Sequence, residues 1–73
     1  MKILIDYLKI DVESYDAKIV KAIDFKRFKI DKIEFEYTHL TTTELVQTMK
    51  ILNANNFGSL NFTEDNLIAQ TKV

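Results

Sequence analysis

The stretch Lys32-Ile33-Glu34-Phe35-Glu36-Tyr37-Thr38-His39-Leu40-Thr41-Thr42-Thr43-Glu44 decides the fold, because its hydrophobic period changes partway along it. From Lys32 to Tyr37 the residues alternate strictly: Ile33, Phe35 and Tyr37 fall on one side and Lys32, Glu34 and Glu36 on the other. That is the period of a half-buried strand. Four residues later Thr41-Thr42-Thr43-Glu44 has the form of a capping box, in which a Thr41 hydroxyl accepts from the Glu44 N–H and the Glu44 carboxylate reaches back to the cap. Leu40 and Leu45 occupy the staple positions around it. Leu45, Met49 and Leu52, flanked by Val46, continue at helical spacing to Asn53-Ala54-Asn55-Asn56, where asparagine tolerates a left-handed C-cap.

Working outward, the segment before this strand contains Lys26, Arg27, Lys29 and Lys32 interleaved with Phe25, Phe28 and Ile30. The mixture resembles a nucleic-acid surface, but Asp24, Asp31 and Glu34 dilute its potential, and a solvated connection with its aromatics turned inward is the better reading. Further upstream, Tyr15, Ile19 and Ile23 repeat every four residues as on one helix face, with Ser14 able to cap it. Ile3 to Ile10 has apolar residues at both odd and even positions, as in a strand covered on both faces in a parallel sheet. Downstream, Phe57 to Ala69 reads as two strands around the turn-forming Thr63-Glu64-Asp65-Asn66. The order β-α-β-α-β-β predicts an α/β domain with a mixed four-stranded sheet, its first two strands parallel through a right-handed crossover and its last two an antiparallel hairpin.

Composition excludes several functions. The chain has 73 residues, one glycine, no proline and no cysteine, against about five glycines and four prolines at average usage. A lone Gly58 cannot form a glycine-rich phosphate loop. Without cysteine there is no disulfide framework, thiol nucleophile or thiolate zinc site, and a reducing cytoplasm is the expected compartment. No apolar run approaches the roughly 18 residues of a membrane span, and no leader precedes the first strand, so a soluble chain with no membrane partner is expected. The formal charge of −1 supplies no global field to attract nucleic acid.

Ligands of open parallel sheets bind beyond the carboxyl ends of the strands. That rule selects Asp11 and Glu13 after the first strand, and Glu36 and His39 at the end of the second, as candidate catalytic residues. Carboxylates held together can act as acid or base, can ligate a divalent ion with a histidine, or can bind sugar hydroxyls. The spacing equally suits solvated loop ends and a helix cap, and it matches no metal-ligand pattern.

Ile5-Asp6-Tyr7-Leu8-Lys9-Ile10-Asp11-Val12-Glu13-Ser14-Tyr15-Asp16 resembles the D-x-L-K-I-D-V-E-G-x-E signature of the FkbM-type methyltransferases, which use S-adenosylmethionine. Ile33 to Tyr37 is similar to the family's strand ending in Glu and an aromatic residue. Asn56-Phe57-Gly58 resembles its L-x-x-x-G-Y/F region, and Glu64 to Ala69 its closing hairpin. Ser14 replaces the family's glycine and Asp16 its glutamate. The resemblance covers the family's C-terminal half, implying the fourth to seventh strands of a class I methyltransferase sheet in the order 4-5-7-6. It further implies that Asp11, Glu13, Glu36 and His39 lie on the methyl-acceptor side, that S-adenosylmethionine serves the complete fold, and that these 73 residues alone hold no cofactor and are inactive. The alternative is a free-standing α/β interaction or oligomerisation module derived from that fold. Either reading implies a first strand lacking a neighbour, and hence a homodimer or a missing N-terminal half paired along residues 3–10.

Overall fold

A computed structural model describes residues 2–11 and 16–72, with the side chains of residues 16 and 17 left aside. Among these residues the chain forms a small α/β domain of four strands and two helices. They run β1 (Ile3–Ile10), α1 (Asp16–Ala22), β2 (Phe28–Glu36), α2 (Thr42–Ala54), β3 (Phe57–Phe62) and β4 (Asn66–Thr71). The sheet order is β1-β2-β4-β3: β1 and β2 are parallel, and β4 lies antiparallel to both β2 and β3.

The alternation of β2 builds the core. Ile33 pairs with Ala69 and Phe35 with Leu67 across β2 and β4, and all four side chains are fully buried. Paired residues share a sheet face, so this face meets the helices through Leu52 and Val20, which are also fully buried. Lys32, Glu34 and Glu36 point the other way and keep contact with water. There Glu34 accepts from the Tyr7 hydroxyl and, at 2.5 Å, from Asn66 Nδ2, so one carboxylate joins β1, β2 and β4.

β2 begins at Phe28, earlier than the alternation from Lys32 indicates. Ile30 and Ile33 are both buried although they differ by three residues, a break in period that hides the strand's first part. The ladder to β1, with Ile3 opposite Phe28 and Ile5 opposite Ile30, shows that residues read as a solvated connection are paired backbone. Phe25 and Phe28 are nevertheless turned against the core, as expected.

Two other expectations need correction. β1 is not covered on both faces, although it is the edge strand that the resemblance implies: Ile3 is 50%, Leu4 72% and Tyr7 48% exposed, and Ile10 alone in the strand is fully inside. Among the described side chains of α1 the buried one is Val20, whereas Ile19 is exposed and Ile23, just past the helix, is half-buried. This short helix packs beside α2, where Lys21 Nζ donates to Gln47 Oε1 at 3.0 Å, and it turns Val20 into the core. Ser14 and Tyr15, assigned to its cap and face, lie outside the described residues.

α2 follows the sequence closely. Thr41 Oγ1 accepts from the Glu44 N–H at 3.1 Å and Glu44 Oε1 accepts from the Thr41 N–H at 3.0 Å, completing the capping box. Thr48 is fully buried yet satisfied, its hydroxyl donating to the Glu44 carbonyl at 2.8 Å. The helix ends at Asn55, and Asn56 takes the left-handed conformation with φ 71°, a region asparagine enters more readily than most residues.

The cap yields a pH prediction. Hydrogen bonds from the Thr41 backbone and side chain, with smaller help from Lys21 and Lys18, hold the Glu44 carboxyl below the usual glutamate range. A lowered folded-state pKa contributes stability that is complete above the unfolded pKa and vanishes as pH falls through the folded one. Thr41→Ala should cost about 1 kcal/mol at neutral pH, read from the urea midpoint. Glu44→Gln should flatten the acid side of the stability curve; a curve with unchanged slope would contradict the reciprocal cap.

Candidate functional site

The carboxyl ends of β1 and β2 lie side by side because the strands are parallel and in register, with Ile10 opposite Phe35. Asp11 therefore leaves β1 next to the place where Glu36 ends β2. The hairpin adds a third side. Glu36 is opposite Asn66, and Tyr37 fastens the turn preceding Asn66: its N–H donates to the Asp65 carbonyl at 3.0 Å, and its hydroxyl to the carbonyls of Thr63 at 2.9 Å and Glu64 at 3.3 Å. Its ring meets Phe62 edge-on at 5.2 Å. Thr63 and Asn66 close the turn on themselves, with Thr63 N–H donating to the Asn66 carbonyl at 2.8 Å and Asn66 N–H to Thr63 Oγ1 at 2.9 Å.

The result is a polar cavity of about 220 Å³ lined by Lys9, Ile10, Asp11, Glu36, Asp65 and Asn66. Glu36 is held from the loop side, where Oε1 accepts from Thr38 Oγ1 at 2.9 Å and lies 3.0 Å from His39 Nε2. His39 is thus attached to the cavity through Glu36, while its own ring is largely exposed. Of the four residues selected from sequence, Asp11, Glu36 and His39 gather at this edge, and Glu13 lies outside the described residues. Sequence reasoning missed Asp65 and Lys9. The signal for Asp65 was present in the strand order: a β4 antiparallel to β2 brings its first residues beside the last residue of β2.

Three carboxylates and an ammonium around a small hollow suit a hydroxyl-bearing fragment, which carboxylates can hold and deprotonate. Among the described residues no three acidic or histidine side chains converge as metal ligands. Nor does this cavity fit S-adenosylmethionine. The cavity is smaller than the roughly 300–1,000 Å³ of sites for drug-sized ligands, and a glycine-rich cradle is lacking. Gly58 has no positive φ and its open side is filled by the Lys72 stem, which an added Cβ would approach to 2.4 Å at Cγ. Among the described residues no helix is long and apolar enough to cross a membrane. Compared with protein-family models, curated proteins and solved structures, the chain matches none.

Proposed function

We propose that the chain is the acceptor-side, C-terminal half of an FkbM-like S-adenosylmethionine-dependent O-methyltransferase, with the methyl donor held by segments other than the residues described above. The observation that carries this reading is the meeting of Asp11, from the segment resembling the family signature, with Glu36 and Asp65 around one cavity at the carboxyl edge of the sheet. In this reading Asp11 accepts the proton of an acceptor hydroxyl and Asp65 and Asn66 orient the acceptor. Glu36, braced by Thr38 and His39, positions the wall between them. Alone, the 73 residues are inactive.

The test has two parts. Coding sequence upstream of Met1 should encode, in frame, a glycine-rich strand-turn-helix followed by a strand ending in an acidic residue; a stop codon directly upstream would count against the reading. In that longer protein, Asp11→Asn should lower methyl transfer from labelled S-adenosylmethionine by about 10²–10⁴-fold, the usual contribution of a general base. Undiminished transfer by the variant would remove Asp11 from the role.

A second reading, an interaction or oligomerisation module on the same fold, is favoured by one feature. Ile3, Leu4 and Tyr7, all largely exposed, lie together on the edge strand, and an apolar edge invites another strand.

A further inference from the structure

The opposite edge of the sheet carries a second hollow, independent of the carboxylate cavity, and its chemistry differs. We propose that it binds a nucleoside phosphate. The cleft measures about 650 Å³, within the range of small-molecule sites. It forms where the starts of β1, β2 and β3 meet the end of β4 and the last turn of α2.

The lining separates into an apolar part and a cationic part. Phe25, Phe28 and Ile30 line the apolar part, backed by Phe57, whose ring Phe25 meets edge-on at 6.0 Å. Phe57 is buried and the Arg27 guanidinium lies over the Phe28 ring, 5.9 Å from its centroid, so stacking area for a base falls to Phe25. Lys2, Lys29 and Lys72 supply three ammonium groups against the single carboxylate of Asp31. The strand ladder holds them at this edge: Ile3 N–H donates to the Arg27 carbonyl at 2.9 Å beside Lys2, and Leu4 lies opposite Lys29. Lys72 is fixed twice, by its N–H donating to the Asn56 carbonyl at 2.9 Å and by its stem lying on Gly58. The partial negative charge of the α2 C-terminus falls on this side too, so Lys72 offsets it and the phosphate belongs toward Lys2 and Lys29. Asn55, Asn56 and Gln70 add amide groups able to donate to and accept from a base edge.

The experiment is titration of the 73-residue chain with adenosine monophosphate, followed through the amide resonances of Lys29, Asn56 and Lys72. Saturable shifts at these residues are expected, weakening as salt rises. Adenosine alone and inorganic phosphate alone should each bind more weakly than the nucleotide, since each meets one part of the lining. Lys29→Ala should weaken the nucleotide about tenfold, the usual cost of a lost charge-assisted hydrogen bond. The proposal is overturned if millimolar nucleotide leaves these resonances unmoved, if phosphate alone binds as well as the nucleotide, or if Lys29→Ala binds with unaltered affinity.

Discussion

Phe35→Ala should unfold the domain. Phe35 is fully buried in the core cluster, and it pairs with Ile10 on one side and Leu67 on the other. It therefore connects both neighbours of the central strand. Truncating a buried phenylalanine costs about 3–5 kcal/mol through lost transfer energy and the cavity left behind. A domain of this size has about 3–5 kcal/mol of net stability in all, so the loss equals the whole. Circular dichroism of Phe35→Ala should show an unfolded chain at 25 °C. Phe62→Ala, which removes a half-exposed ring and its edge-on contact with Tyr37, should remain folded with a loss of about 1 kcal/mol. A cooperative melt of Phe35→Ala near the parent temperature would mean that the core is organised around some other residue.

The second large effect concerns β1. Among the described residues its outer backbone groups have no neighbouring strand in the sheet, and Leu4, at 72% exposure, projects from it. The isolated chain should associate through this edge, most simply as a two-fold dimer with a continuous sheet. Leu4→Lys places a solvated charge on the shared edge. If burying each Leu4 contributes about 1.5 kcal/mol, the two copies lose about 3 kcal/mol, weakening the dimer roughly a hundredfold. In the monomer the same side chain is exposed, so folding stability should scarcely change. Sedimentation should show a concentration-dependent dimer for the parent and a monomer for the variant. A parent that stays monomeric at all concentrations, or a variant that dimerises equally well, would count against pairing along residues 3–10.

The parts of this fold legible in sequence are those where local chemistry and tertiary packing agree. The Ile33/Phe35 alternation names the core face because β2 is covered on one side only, and the Thr41–Glu44 box works within a single turn of chain. The gathering of Asp11, Glu36 and His39 follows from the parallel pairing of β1 and β2 and is visible once the elements are assigned, whereas the placing of β4 rather than β3 beside β2 is implied only by the family resemblance. The failures occur where a residue's environment depends on distant neighbours. Val20 rather than Ile19 is buried because α2 lies beside α1, which no four-residue repeat reveals. The exposure of β1 depends on what lies next to it in the sheet, and an apolar run reads alike at an edge and in an interior. Asp65 enters the carboxylate cavity because Tyr37 holds the hairpin turn through three hydrogen bonds, a contact across 28 positions of chain from Tyr37 to Asp65.

The two hollows separate the chemistry of the chain by edge. Carboxylates collect at the ends of the parallel strands and lysines at their beginnings, although the formal charge is only −1. A molecule with almost no net charge thus presents two local fields of opposite sign, which act on ligands at short range where salt screens them least.

The proposed function requires that donor binding be absent from these residues, and calorimetric titration of S-adenosylmethionine into the 73-residue chain tests this directly. No saturable heat is expected at concentrations where a methyltransferase would bind its donor; micromolar binding by the chain alone would contradict the assignment of these residues to the acceptor side.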